Sequence, residues 1–201
     1  MPTSSDLQAV LSDIRACRAC AGVLPHTPRP VVMVSPETRL LICGQAPGRR
    51  VHESGVPFTD PSGDRLRQWM GVDYETFYAD RRIGVAAQAF CYPGTAPQGG
   101  DYPPPPRCAE LWRPQLMAAL PEMELTLLVG GYAQAWALGE RVNALRVARG
   151  ISQEDFAGRV GLDRTYVSGI ERGLRNPTLL VLLRFLDGSG SGGVRLGDRG
   201  G

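Results

Sequence analysis

The sequence contains no lysine and no long hydrophobic segment. All 22 basic residues are arginine, a bias that genomic base composition can produce, so we attach no mechanism to it. No apolar run approaches the ~18–20 residues that a membrane-spanning helix needs. Residues 1–6 lack the basic and apolar regions of a signal peptide. We therefore expect a cytoplasmic protein rather than a membrane or secreted one.

The sequence contains few cysteines, and their number is odd. Five cysteines in 201 residues do not form a simple disulfide framework, and an intracellular chain favours metal or cluster ligation over disulfides. With 43% hydrophobic residues, the chain is long enough for one large domain or two small ones.

The first two thirds of the chain alternate apolar runs with helical stretches. Three β-rich runs, at residues 39–43, 83–90 and 125–129, are almost continuously hydrophobic, which is typical of strands in a buried parallel sheet. A helical stretch follows each run, and this alternation predicts an α/β fold. Ligand sites in such folds form beyond the carboxyl ends of the strands.

From Leu138 the pattern changes to short helices separated by glycines, with no strand-like run. We predict an α/β domain at residues 1–138, a small all-α domain at residues 139–187 and a flexible tail at residues 188–201. The helix that starts near Tyr132 is expected to continue across the boundary without a linker. Residues 139–201 carry ten arginines against seven acidic residues, a weak indication of nucleic-acid binding.

The all-α domain carries signals for two short helices. Ser152 and Asp163 are candidate N-caps, and Gly161 between them permits a tight turn. Two short helices joined in this way form a helix-turn-helix. Residues 138–186 resemble the Xre/lambda-repressor-type helix-turn-helix family through R-x-x-R-G-x-S-Q, the T-Y-V-S core and E-R-G-x-R-N-P.

This resemblance implies binding to double-stranded DNA, transcription regulation and a possible homodimer on a two-fold site. It implies a phosphate contact from Gln153 and a structural salt bridge between Arg146 and Glu171. Gly169 gives one groove-side position no side chain. The remaining DNA-binding residues that it implies are Arg164, Thr165, Tyr166 and Ser168 on the recognition helix, together with three residues that would hold the neighbouring DNA backbone, Arg172, Arg175 and Asn176. The alternative is a helical bundle that binds protein.

The α/β domain carries four local motifs. Cys17 and Cys20 form a C-x-x-C pair, and Cys91 and Cys108 bracket a loop rich in proline and glycine. Such thiolates can share one ion or cluster. The G-Q-A-P-G turn at residues 44–48 can aim backbone N–H groups into a cleft. Phe58 can offer a stacking face to a flat ring.

Together these motifs resemble the iron–sulfur (family 4-like) uracil-DNA glycosylases. The resemblance implies a [4Fe-4S] cluster on the four cysteines, zinc or no ligand being the alternatives. It implies a uracil pocket of Gly44, Gln45, Ala46 and Phe58, and uracil-containing DNA as a partner.

The chain departs from that family at several positions. Gln45 replaces the glutamate of the turn, Ala87 falls where an asparagine would read uracil, and the last strand with its His-Pro-Ser-type loop is missing. The third strand is therefore expected to have an exposed edge. Gln45 and Asp60 are the candidate catalytic residues; Asp60 is alternatively a helix N-cap, and His52 a solvated loop residue.

The sequence thus predicts an incomplete uracil-DNA-glycosylase-like α/β domain followed by a helix-turn-helix. The predicted function is DNA binding by the second domain, with the first degenerate. The alternative is an active glycosylase that excises uracil in base-excision repair. A hybrid gene product with no joint function remains a third hypothesis.

Overall fold

The computed structural model describes residues 4–175, 177–178, 181–182 and 184–185. The fold divides into two compact units, the first ending at Ala133 and the second beginning at Gln134. The predicted tail at residues 188–201 and the predicted DNA contact Asn176 lie outside the described residues.

The first unit alternates strands and helices. Its elements are α1 (Ser4–Ala16), β1 (Leu40–Cys43), α2 (Arg49–Ser54), α3 (Pro61–Met70), α4 (Tyr74–Ala79), β2 (Ile83–Val85), α5 (Pro106–Ala119) and β3 (Leu125–Leu128). The second unit contains most of α6 (Gly131–Ala148), followed by α7 (Gln153–Val160) and α8 (Arg164–Glu171).

The three strands form one parallel sheet in the order β2-β1-β3. Leu40 pairs with Ile83 on one side and with Leu125 on the other. Because all strands are parallel, their carboxyl ends lie at one edge of the sheet, where ligand sites form in α/β folds. The predicted fold class, an incomplete α/β sheet followed by a helical unit, is confirmed.

The second strand is shorter than predicted. Of residues 83–90 only Ile83–Val85 forms β2, although Ala86, Ala89 and Phe90 are buried. The chain beyond Val85 leaves the regular ladder and hydrogen-bonds to the glycine turn after β1, with Gln88 N donating to Gly44 O (2.9 Å). The apolar run therefore predicted the burial of these residues correctly, but it predicted a longer strand than the structure contains.

The third strand is largely exposed, although its apolar run has the pattern of a buried strand. Leu125 is 54% exposed, whereas Leu41 at the centre of the sheet is fully buried. Among the described residues no strand pairs with the outer side of β3. The predicted exposed edge is confirmed, and it follows from the position of β3 at the end of a three-stranded sheet.

The sheet separates two apolar layers. On one side Leu7, Leu11 and Ile14 of α1 pack with Leu41, and Cys43 joins this core as a small buried residue. On the other side Ile42 packs with Leu66 and Phe77. The side chains of β1 alternate between the two cores.

The second unit has its own core. Phe156, Val160, Val167 and Ile170 from α7 and α8 pack together, with Val142 of α6 beneath them. Helix α6 runs without interruption for 18 residues, which confirms the predicted helix from Tyr132 onward. None of the helices in the described part of the chain is both long and apolar enough to cross a bilayer.

Candidate functional sites

The helix-turn-helix is built from the local signals that the sequence carries. The Ser152 side chain accepts a hydrogen bond from Asp155 N (3.0 Å) and begins α7, and the Asp163 side chain accepts one from Thr165 N (2.7 Å) and begins α8. Gly161, with φ at 65°, ends α7 in the left-handed conformation that favours glycine. The two N-caps and the turn lie where predicted.

Helix α8 has one buried face and one exposed face. Val167 and Ile170 are fully buried, whereas Arg164 and Thr165 are exposed, and Tyr166 and Ser168 are partly exposed. A helix that buries one stripe of side chains and presents the others is suited to enter a DNA groove. Arg172 and Arg175 after the helix are also exposed.

Glu171 organises the interior of this unit. Its carboxylate accepts hydrogen bonds from Arg146 Nε (2.6 Å) and Nη2 (2.9 Å), and from Asn143 Nδ2 (2.8 Å). Burial alone would raise the pKa of Glu171, but these hydrogen bonds outweigh it and lower the pKa. The Arg146–Glu171 pair implied by the family resemblance is present.

Gln153 takes part in the same network. Its Nε2 donates to Glu171 Oε2 at 2.8 Å, so the side chain that was predicted to contact phosphate is held by the interior of the unit. The backbone of Gln153 still begins α7, where N–H groups favour an anion. A side-chain contact between Gln153 and phosphate stays a prediction.

The structure explains why position 169 is a glycine, which the sequence did not reveal. A Cβ at this position would lie 3.0 Å from Arg175 Cδ, so the stem of Arg175 crosses the helix where a side chain is missing. The Arg175 guanidinium lies 5.1 Å from the centre of the Tyr166 ring. Glycine at 169 thus lets Arg175 occupy the exposed face of α8.

Four of the predicted base-pocket and catalytic residues meet in the first unit. Gly44, Ala46, Phe58 and Asp60 line one cavity of about 60 Å³ beside the carboxyl ends of β1 and β2. Gln45 is exposed and does not line this cavity; its Oε1 is 3.9 Å from the Cβ position of Gly130, near the end of β3. Of the two candidate catalytic residues, therefore, only Asp60 borders the cavity.

Asp60 is the N-cap of α3 and also borders the cavity. Its Oδ1 accepts from Gly63 N (3.1 Å) and from Ser62 Oγ (2.6 Å), so it is the N-cap of α3. Its Oδ2 lies 3.8 Å from the Cβ position of Gly48, where Asp101 Oδ2 also approaches to 3.5 Å. Asp101 was missed because it is 41 residues away in sequence and belongs to no motif.

The surroundings of two further side chains of this unit, Gln88 and His52, could not be predicted from the sequence. Gln88 is 8% exposed, and its Oε1 has no hydrogen-bond partner within the described residues. His52 lies in α2 rather than in a solvated loop, and its ring is 4.2 Å from that of His26. Burial, together with the charges of His26 and Arg29, lowers the pKa of His52. Single-residue patterns cannot report such contacts between distant segments.

The four predicted ligand cysteines line a single small cavity. Cys17, Cys20, Cys91 and Cys108 border a space of about 20 Å³, and none of them forms a disulfide. Burial, above all, raises the pKa of Cys91 to about 12 and that of Cys108 to about 11. Trp112 Nε1 donates to Cys17 Sγ (3.3 Å), and Phe90 N donates to Cys108 Sγ (3.4 Å).

This donor set fits a thiolate-bound metal in its chemistry, since binding would expel the protons that burial retains. In the described part of the chain, however, no three or more Cys, His, Asp or Glu side chains converge closely enough to hold an ion. The thiols would have to move closer together to hold a single ion. The cluster therefore stays a prediction.

Comparison with known proteins identifies the family of the chain. The sequence model of the uracil DNA glycosylase superfamily matches residues 32–182. The chain belongs to the uracil DNA glycosylase superfamily. This confirms the resemblance of the first domain at the level of the superfamily.

Shorter matches cover the helix-turn-helix. An uncharacterized HTH-type transcriptional regulator, y4dJ of Sinorhizobium fredii, is 36% identical over 29% of this chain and 77% of its own length. The control protein C.MunI of a Mycoplasma species is 43% identical over 26% of this chain and 72% of its own length. The restriction-modification controller protein C.AhdI from Aeromonas hydrophila is 45% identical over 29% of this chain and 88% of that chain, with a TM-score of 0.28.

These matches confirm the predicted combination. The protein joins a uracil-DNA-glycosylase-like domain to a DNA-binding helix-turn-helix of the regulator type. The roles of the individual residues stay predictions.

Proposed function

We propose that this protein regulates transcription by binding a specific duplex DNA site through α8. The observation that carries the proposal is the exposed face of α8, where Arg164, Thr165, Tyr166 and Ser168 lie opposite the fully buried Val167 and Ile170. Similarity to an HTH-type transcriptional regulator and to a control protein supports it.

The chemistry of this face suits the major groove. Arginine reads guanine through two hydrogen bonds, and a threonine methyl group packs on thymine. Arg164 makes a long, exposed ion pair with Glu154 (Nε to Oε2, 3.7 Å), which a DNA phosphate or base can replace at little cost. Arg175 lies on the same face, above Tyr166.

Phosphate contacts are expected to supply most of the affinity. Arg172, Arg175 and the N-terminus of α7 with Gln153 are the proposed contacts, and Asn176 completes the set implied by the family. Each phosphate neutralised adds to the dependence of affinity on salt. Two copies bound to two half-sites one helical turn apart are the expected arrangement.

Selection of binding sequences from a random duplex library, followed by fluorescence anisotropy, tests this proposal. The double variant Arg164→Ala/Arg175→Ala should bind the selected duplex at least about 30-fold more weakly, because each arginine contact contributes about 1–3 kcal/mol. The matched control Arg81→Ala removes an exposed arginine of the first unit that pairs with Glu37. Equal loss in both variants, or no selected sequence, would refute binding through α8.

A second candidate function is supported by the cavity in the first unit. We propose that this cavity accepts an extruded uracil from DNA, with Phe58 stacking on the base and the backbone of Gly44 and Ala46 bordering it. The observation favouring it is that these residues, separated in sequence, line one cavity with Asp60. Enzymes that act on a base move it out of the helix, at a cost of a few kcal/mol.

Excision of the bound uracil requires a catalytic group in addition to the binding cavity. Asp60 Oδ2 is the carboxylate oxygen not engaged in capping α3, so Asp60 is the residue that would orient a water molecule. The test is incubation of uracil-containing single- and double-stranded oligonucleotides with the protein. Abasic product that disappears in Asp60→Asn and Phe58→Ala supports excision; binding without product supports recognition alone.

We also propose that the first unit binds a metal group, because four cysteines from separate segments of the chain border one cavity. Cys17, Cys20, Cys91 and Cys108 border one cavity and would hold a [4Fe-4S] cluster, with zinc as the alternative. The group would act structurally, joining the segment after α1 to the loop before α5. DNA repair as a biological role depends on the excision assay.

A further inference from the structure

The turn that carries Phe58 has an unusual backbone. Phe58 has φ at 57°, the one non-glycine residue with positive φ in the described part of the chain. A bulky side chain in this conformation costs free energy, and it persists only where its surroundings impose it. The neighbours that impose it here are identifiable.

Two backbone carbonyls of the turn are held by side-chain donors from α3 and α4. Arg67 Nη1 donates to Phe58 O at 2.9 Å, and the Tyr78 hydroxyl donates to Pro57 O at 2.7 Å. The first turn of α3 closes on the same carbonyl, because a Cβ on Gly63 would lie only 1.8 Å from Phe58 O. The turn is thus fixed on two successive peptide groups.

Arg67 is itself held tightly. Its side chain is 7% exposed, and Nη2 donates to Asp64 Oδ1 at 2.6 Å. The guanidinium lies 5.2 to 5.8 Å from the centres of three rings, those of Tyr74, Phe77 and Tyr78. A planar cation packed in this way has little freedom, so its hydrogen bond to Phe58 O has a defined direction.

The Phe58 ring is oriented by the same framework. It meets the fully buried Phe77 edge to face, with ring centres 6.4 Å apart, and its own side chain borders the 60 Å³ cavity. Arg67 and Tyr78 do not line that cavity, and both donate to backbone carbonyls instead. They can influence a ligand through the position of Pro57 and Phe58, both of which line the cavity.

We propose that Arg67 and Tyr78 are positioning residues that hold the Phe58 ring in the orientation needed to stack on a bound pyrimidine. This rests on the proposed binding of uracil in the cavity. The framework removes the need to order the turn when the base arrives, so the binding free energy is not spent on that step. Burial raises the pKa of Tyr78, which keeps its hydroxyl protonated and able to donate.

The chain offers a matched pair of variants on α4. Tyr78→Phe removes only the hydroxyl that bonds Pro57 O, whereas Tyr74→Phe removes a hydroxyl from a neighbouring exposed tyrosine and keeps its ring beside Arg67. Arg67→Lys keeps the charge but not the planar fork. Two measurements on the full chain, one without ligand and one with it, are then compared.

The first measurement is the ¹⁹F spectrum of 4-fluorophenylalanine placed at position 58 alone. A single sharp resonance is expected, shifted or split by Tyr78→Phe and unchanged by Tyr74→Phe. The second is the affinity for a uracil-containing single-stranded oligonucleotide relative to the thymine version. Tyr78→Phe should weaken it about three- to tenfold, as expected for one hydrogen bond, and Arg67→Lys by more.

The outcomes separate the two proposals. If the unsubstituted protein shows no preference for the uracil oligonucleotide, the proposed base binding is wrong and the positioning roles fall with it. If that protein binds but Tyr78→Phe retains both its affinity and its ¹⁹F spectrum, base binding stands and the positioning role is wrong. Parallel changes in both measurements, absent from Tyr74→Phe, support the positioning role.

Discussion

The two units build their sites in different ways. In the helix-turn-helix, the proposed contact residues Arg164, Thr165, Tyr166 and Ser168 lie within five positions of one helix. In the α/β unit, the proposed uracil cavity joins Gly44, Phe58 and Ala87, and the cysteine cavity joins four cysteines between positions 17 and 108. A site carried by one helix follows from helical periodicity, whereas a site assembled from loops depends on how the sheet brings them together.

The largest expected effect concerns the cysteine cavity. Cys91→Ser and Cys108→Ser should each remove essentially all bound iron and the absorbance near 400 nm of anaerobically purified protein, because a cluster of this type needs its thiolates. Cys43→Ala is the matched control, since Cys43 lies in the core away from the cavity. If the purified protein is colourless and contains stoichiometric zinc, the site is a zinc site and not an iron–sulfur cluster. Iron retained by both serine variants would contradict the assignment of these cysteines as ligands.

The next effect concerns the interior of the helix-turn-helix. Glu171→Ala leaves Arg146, Asn143 and Gln153 without their acceptor, and breaking a buried ion pair in this way costs about 3–5 kcal/mol. Calorimetry should show a lower melting temperature for the second unit, with loss of DNA binding, while the first unit is unchanged. Glu154→Ala, at an exposed position, is the control. Equal stability of the two variants would show that the network is dispensable.

The sheet of the first unit offers a comparison between its centre and its edge. Leu41→Ala should lower the free energy of unfolding by about 2–5 kcal/mol, because Leu41 is fully buried. Leu125→Ala on the exposed edge should change it by less than about 0.5 kcal/mol. Urea unfolding measures both. A large effect at Leu125 would mean that β3 is covered in solution.

The pH dependence of the second unit should follow Glu171. Its folded pKa lies below the ordinary value of 4.5, so its stabilising contribution is fully present above the unfolded pKa and is lost as the pH falls through the folded pKa. Urea unfolding at pH 7 and at successive values down to pH 3 should show this decline. The Glu171→Gln variant, which has no charge to lose, should show a flatter profile over the same range.

The smallest expected effect tests whether Gly169 influences DNA affinity through Arg175, one of the proposed DNA contacts. Gly169→Ala places a Cβ 3.0 Å from Arg175 Cδ, so the arginine stem must shift. DNA affinity should fall about two- to fivefold, within the range of a weakened rather than lost contact, while the fold is retained. In an Arg175→Ala background the same substitution should have no further effect on affinity. An additive loss would mean that Gly169 acts independently of Arg175.

Much of the candidate DNA site could be predicted from the sequence. Ser152, Gly161 and Asp163 act within four residues of their own positions, so their capping and turn roles are local properties. The hydrogen bond of Gln153 to Glu171 was not predictable from residue spacing, because it joins side chains 18 positions apart. The sequence also did not predict that the Arg175 side chain packs over Gly169, because a motif does not specify the direction that a side chain takes.

The sequence by itself determined the α/β and helical segments, the helix caps and the exposed face of α8, because these depend on side-chain periodicity and on contacts a few residues apart. Only the tertiary structure decided that Gln45 stays outside the proposed uracil cavity, that Asp60 borders it while capping α3, and that Arg67 and Tyr78 hold the Phe58 turn. These relations join segments distant in the chain, and their distances are fixed by the packing of helices on the sheet rather than by local preference.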